Sequence, residues 1–144
     1  MIAYPDASFL FGLYVLQENT AAANAYAASM KEPIHVAALL SFEFTNALRH
    51  AAFRKALSVS TVVTALAAFE SDVDNGVILI PSVSWETVHR EAERLSNAHT
   101  VRDGHTSFDI LHVATALTLK AREFLSFDAK QRALAAVEGL KVKP

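Results

Sequence analysis

The sequence has no cysteine and only four glycines and four prolines. Without thiols there can be no disulfide, no thiolate nucleophile and no Cys-ligated zinc or iron–sulfur centre, so any metal must be held by oxygen or imidazole. The scarcity of Gly and Pro, with 52% hydrophobic and 19% charged residues, excludes a low-complexity or disordered chain. No apolar run reaches the ~18 to 20 residues that a membrane-spanning helix needs. The opening M-I-A-Y-P-D lacks the basic region of a secretion signal, so the reading expects a cytoplasmic protein. A large excess of charge is also missing. At net −2 the chain is no general polyanion binder, and a nucleic acid would have to be met by a local basic patch. Its 144 residues are an ordinary length for one domain, long enough for a proper core, and show no repeat or linker.

What the sequence does contain is acid in apolar surroundings. From Thr106, T-S-F-D-I-L-H-V-A-T-A-L covers nearly the whole circumference of a helix with apolar side chains, which predicts a buried helix. Its polar stripe is Asp109, His112 and Thr115, so Asp109 runs along the packed side of the molecule. The next segment, E-F-L-S-F at 123–127, predicts a short strand, with Asp128 at its end and the helix A-K-Q-R-A-L-A-A-V beyond. Helix capping alone would accept either acid: Asp109 is the third helical residue after Thr106, and Asp128 precedes a helix.

The beginning of the chain repeats that arrangement. I-A-Y-P at 2–5 predicts a strand, followed by Asp6 and the helix S-F-L-F-G-L-Y-V-L. Two acids thus stand at the carboxyl ends of two parallel strands, where ligands of open α/β sheets bind. Ser8 can cap the helix or offer its hydroxyl beside Asp6. An Ala-rich helix follows at 17–31, a strand at 34–37, and a helix at 41–57 with Glu43, Asn46 and His50 on one polar stripe and Arg49, Arg54 and Lys55 further along. Beyond a helix at 58–75, V-I-L-I-P at 77–81 predicts a buried strand, and 84–99 an amphipathic helix with Trp85, Val88, Ala92 and Leu95 inward. T-V-R-D-G-H at 100–105 reads as a polar loop that places Arg102 and Asp103 at a rim, and 140–142 as a last short strand. The order β-α-α-β-α-α-β-α-α-β-α-β predicts a three-layer α/β/α architecture around a mainly parallel sheet of four to five short strands.

Four carboxylates in one crevice repel one another unless cations neutralise them, and Mg²⁺ or Mn²⁺ suits oxygen ligands. Phosphodiester hydrolysis is the chemistry that follows. Y-P-D-A-S at 4–8, F-E-F-T-N-A-L-R at 42–49, S-F-D-I-L-H-V-A-T-A-L at 107–117 and F-L-S-F-D-A-K-Q at 124–131 together resemble the PIN domain, in particular the VapC-like toxins of prokaryotic toxin–antitoxin pairs. The resemblance runs from end to end of the chain. It implies a metal-dependent ribonuclease with Asp6, Glu43, Asp109 and Asp128 as the acidic residues, Asp6 and Asp109 coordinating most directly and Asp128 helping through water. It also implies Ser8 as the hydroxyl supporting Asp6, Asn46 as a polar neighbour, a homodimer and a cognate antitoxin.

His112, frequent in such a motif, reads as a packing residue with a hydrogen bond near Asp109. Pro5 stands where an aliphatic residue is more usual, and Lys130 where Arg often stands. Helix position and charge make Arg49, Arg54, Lys120 and Lys130 candidates for guiding an RNA backbone. Two other readings stay open: a noncatalytic PIN-fold module that binds RNA or protein, and an Asp-dependent phosphatase with Asp6 as nucleophile, against which Ser8 stands where a second Asp would be expected.

Overall fold

The computed structural model describes all of residues 1–144. In chain order its elements are β1 (Ala3–Pro5), α1 (Ala7–Tyr14), α2 (Thr20–Ser29), β2 (Ile34–His35), α3 (Ala38–Phe53), α4 (Val59–Asp74), β3 (Ile78–Leu79), α5 (Trp85–Leu95), a π turn (Ser96–Thr100), α6 (Val101–Asp103), α7 (Ser107–Thr118), β4 (Glu123–Leu125), α8 (Ala129–Val137) and β5 (Lys141–Lys143). The five strands form one sheet in the order β3-β2-β1-β4-β5. Every pairing is parallel, so the sheet is wholly rather than mainly parallel.

This order puts β1 at the centre and a topological switch beside it. The chain steps outward from β1 to β2 and β3, then crosses back to lay β4 on the other side of β1. Right-handed crossovers send the two sets of helices to opposite faces. Accordingly α1 packs on α2, α3 and α4, while α5 packs on α7 and α7 on α8. Ala3, Tyr4 and Pro5 register with Glu123, Phe124 and Leu125, and the ladder continues through the Asp6 N–H to the Leu125 carbonyl oxygen at 2.9 Å. Toward β2 the register consists of Ala3 and Ile34 alone. The missing N–H of Pro5 faces that side, so the sheet opens there without breaking the pairing with β4.

The core on the α1–α4 side is an aromatic cluster. Phe44 is fully buried, with ring centroids 5.2 Å from Phe69, 5.4 Å from Phe11 and 5.7 Å from Tyr14. Close approach of α1 and α2 depends on Gly12, where a Cβ would come within 3.1 Å of Ala23 and 3.3 Å of the Phe127 ring. No helix is long and apolar enough to cross a membrane.

The sequence reading needs four corrections. V-I-L-I-P is not a buried strand: β3 is the edge of the sheet, and Val77, Leu79 and Ile80 are 50%, 41% and 42% exposed while Ile78 faces the core. An apolar run cannot distinguish a central strand from an edge. The polar loop expected at 100–105 is helical as far as Asp103, because the π turn carries α5 onward into α6 until Gly104 stops it at φ 70°. Trp85 does not anchor the core; in the first turn of α5 it is 36% exposed and leans on His89, ring centroids 6.3 Å apart. Finally, α3 starts at Ala38 and ends at Phe53, which leaves Arg54 and Lys55 beyond the helix, Lys55 at φ 58°.

Removing the Phe44 ring leaves a cavity among three aromatic neighbours that hold one another in place. Phe44→Ala should cost about 3–5 kcal/mol, read as a lower urea midpoint with an unchanged m-value.

Candidate active site

The carboxyl ends of β1 and β4 converge on Asp6, which has no exposed surface. As N-cap of α1 its Oδ1 accepts the Phe9 N–H at 3.1 Å, and the same oxygen accepts the Ser8 hydroxyl at 2.6 Å. Oδ2 accepts the hydroxyl of Ser126, a fully buried residue just past β4. Both serines also accept N–H groups of the β4–α8 segment: Ser8 Oγ reaches across to the Phe127 N–H at 2.8 Å, and Ser126 Oγ accepts the Asp128 N–H of its own segment at 2.9 Å. Phe127 also stacks on Phe9, ring centroids 6.0 Å apart. Burial pushes the Asp6 carboxyl above its ordinary range, while the Ser126 and Ser8 hydroxyls, the Phe9 N–H and the positive side of His112 pull it back. Three donors to one carboxylate favour the ionised form and still leave part of its roughly four lone-pair sites free.

Asp109 lies in the first turn of α7, half-buried, where the Thr106 side chain caps the helix by accepting the Asp109 N–H. Burial raises its carboxyl, the Thr106 hydroxyl lowers it, Asp128 raises it, His112 lowers it and Glu43 raises it again. Asp109 therefore feels three of the other predicted residues, drawn from α3, α7 and the start of α8. Glu43 does not stand free. It pairs with Nε2 of His112, whose ring is buried, so the hydrogen bond expected of His112 near Asp109 has Glu43 as its partner. Nδ1 of His112 is buried and has no hydrogen-bond partner.

Asp128 is exposed and caps α8, its Oδ1 accepting the Gln131 N–H at 2.8 Å. The residue in register beyond β4 with Asp6 is Ser126, since Pro5 pairs with Leu125. Asp128 lies two residues further on, so it is not the strand-end twin of Asp6 that the sequence suggested. Ser126 was missed, although a signal was present: the register of Y-P-D against F-L-S.

Asn46, one turn past Glu43 on α3, is exposed and makes no hydrogen bond. Of the four cations, only Lys130 is near the site, in the first turn of α8 with Nζ 3.4 Å from the Gly104 carbonyl oxygen. Arg49 borders a cleft with Phe69, Glu70 and Asp74 of α4. Arg54 and Lys120 lie past the C-terminal ends of the helices that carry Glu43 and Asp109 near their starts, so each is more than two helical turns from its acid. Position along a helix decides this, and sign of charge alone could not.

No Lys or Arg makes an ion pair with any of the four acids; His112 with Glu43 is their one pairing. Arg132, on α8, donates instead to the carbonyl oxygens of Ser126 and Pro144. No three His, Asp or Glu side chains are gathered closely enough to enclose a metal ion as they stand. In donor chemistry the group nevertheless suits a hard cation: oxygen ligands, mutual repulsion and no organic cation to relieve it. As a phosphorylated nucleophile Asp6 fits poorly, being sealed from solvent with both oxygens accepting hydrogen bonds.

No family model matches the chain, and no curated protein matches it in sequence. Solved structures do. Mycobacterium tuberculosis VapC20, a sarcin–ricin loop cleaving toxin, superposes at TM-score 0.71 with 17% identity over 99% of both chains. VapBC2 from Rickettsia felis, bound to a DNA fragment from its promoter, gives 0.71 with 12% identity over 99% of this chain and 98% of that one. FitAcB from Neisseria gonorrhoeae gives 0.65 with 13% identity over 99% and 97%.

Burial of Asp109, with Asp128 and Glu43 adding to it, sets a pH dependence. Its folded-state pKa is raised, so the folded chain binds more protons than the unfolded one between the ordinary and the raised value, and stability falls as pH rises through that window. Without divalent metal, Asp109→Asn should melt higher than the parent at pH 7. The gain should vanish near ~pH 3, where the parent carboxyl is protonated in both states. A gain that persisted there would mean that the raised carboxyl is not its source.

Five parallel strands in this order, the helices on both faces and the end-to-end superpositions agree: the chain has the PIN-like fold of VapC toxins.

Proposed function

We propose that the chain is a VapC-like toxin, a metal-dependent endoribonuclease that hydrolyses RNA phosphodiester bonds. The observation that carries this reading is the cluster of carboxylates without Lys or Arg partners at the β1/β4 switch of a fold shared with a sarcin–ricin loop cleaving toxin. Mg²⁺ or Mn²⁺ would be held by Asp6, Asp109 and Glu43, with Asp128 assisting. When bound, the cation would neutralise these carboxylates, withdraw charge from a phosphoryl oxygen and make water a better nucleophile.

The chain's own residues supply the rest. Asp6 is fixed in orientation by Ser8, Ser126 and the Phe9 N–H, which offset part of the rise that burial imposes on its carboxyl. His112 aligns Glu43 from inside the protein. Lys130 stands ready for a phosphate, as a point charge rather than a bidentate fork.

The reading includes a homodimer and an antitoxin partner. Its support is the VapBC and FitAcB neighbours, the small exposed side chains of α2, and apolar side chains on the surface, Leu16, Phe53, Val59 and Val63 among them. Light scattering across a concentration series tests the dimer, which a strict monomer would refute.

One observation favours a second reading, a noncatalytic module that binds RNA or protein: Glu43 is engaged by His112, and no three acidic or imidazole groups enclose a metal position. Cleavage of a total-RNA pool with Mn²⁺, with Mg²⁺ and with chelator, beside Asp6→Asn, separates the two. Discrete fragments that require metal and fall roughly 100-fold or more in the variant are expected. Calorimetric Mn²⁺ titration gives a second test. Affinity that Asp109→Asn leaves unchanged, with no cleavage in the pool, would favour the noncatalytic module.

A further inference from the structure

A cavity of about 410 Å³ lies between the π turn with α6 on one side and α8 on the other. Its floor is apolar, formed by Ala129, Ala133, Leu134 and Val137, and its polar groups are His99, Arg102, Asp103, His105 and Lys130. Most of those polar groups already have partners. Nε2 of His99 is 2.6 Å from Glu138, which Arg94 also holds, and Arg102 donates twice to Asp103 at 3.1 and 2.9 Å.

Two groups are left over. Lys130 reaches only the Gly104 carbonyl oxygen, at 3.4 Å. The His105 side chain is 4% exposed, its Nδ1 has no hydrogen-bond partner and its Nε2 is 3.9 Å from Asp103. Nδ1 is enclosed without accessible surface, whereas Nε2 is not enclosed and is the nitrogen that a ligand in the cavity can reach. π turns inside α-helices also concentrate at functional sites, and this one brings His99 into the wall.

We infer that this cavity is a nucleotide subsite, in which a nucleobase lies over the apolar floor with its edge hydrogen-bonded to His105 and its phosphate at Lys130. The volume lies within the range of small-molecule pockets. An apolar floor with one orphaned imidazole and one free cation suits a planar heteroaromatic group that carries an anion. Both walls run directly into the carboxylate site. Lys130 is two residues past Asp128, and His105 immediately precedes Thr106, the cap of the helix that carries Asp109. The inference rests on the reading of the substrate as RNA and goes further: this subsite would select the base next to the bond that is cut.

The test is calorimetric titration of the full chain in chelator with each of the four 5′-mononucleotides and with ribose 5-phosphate. At least one nucleotide should bind at least ~10-fold more tightly than ribose 5-phosphate, the scale of base stacking and edge contacts. Ala133→Phe, which fills the cavity from an exposed position on α8, should abolish that binding while circular dichroism shows an unchanged fold. His105→Ala should weaken it, and the His105 ring proton resonances should shift on titration in the parent chain. Asp6→Asn should bind nucleotide as the parent does, so a failure of the nuclease reading and a failure of the subsite are separable. Equal affinity for ribose 5-phosphate, no binding of any nucleotide, or binding indifferent to Ala133→Phe would overturn the inference.

Discussion

A buried carboxylate without a cation is the constraint on which this molecule turns. Asp6 occupies the place where the central strand ends and the sheet reverses its order, and the surrounding chain is arranged to make its charge tolerable. Three hydrogen bonds reach it, from the first turn of α1 and from the residue after β4. Because both hydroxyls also accept N–H groups of the β4–α8 segment, one charge organises two strands, one helix start and the path of the chain toward the next. Phe127, which donates one of these N–H groups, also stacks on Phe9. Polar satisfaction and apolar packing thus fix the same few residues.

The opposite approach is used for Glu43. Its partner, His112, comes from inside the protein, and the pairing joins α3 to α7 across the end of the sheet. An imidazole can align a carboxylate and still let it go when a stronger positive charge arrives, which a buried arginine would not do as readily. Asp109 and Asp128 have no such partner, and the Asp109 carboxyl is pushed up by burial and by the two acids near it.

Much of this was legible in the residues. The element order, the parallel sheet and the placing of Asp6 at a strand end follow from apolar periodicity and from the repeated strand–Asp–helix pattern, both local signals. Ser126 was not legible in that way. The reading matched acid with acid and so paired Asp6 with Asp128, whereas the register pairs Asp6 with a serine that carries no charge to draw the eye. The partner of His112 was not legible for a related reason: Asp109 is one turn away on the same helix, whereas Glu43 is 69 positions away in sequence. The exposed edge of β3 and the helical course of 100–103 depend on neighbours that no window of sequence includes.

The two margins of the sheet differ in kind. At one, β5 presents Lys141 and Lys143; at the other, β3 is flanked by exposed aliphatic side chains with no charge among Val77 to Pro81. Charged margins repel additional strands, and uncharged ones invite them. The β5 margin is therefore guarded against the addition of a further strand, and the β3 margin is left open to it.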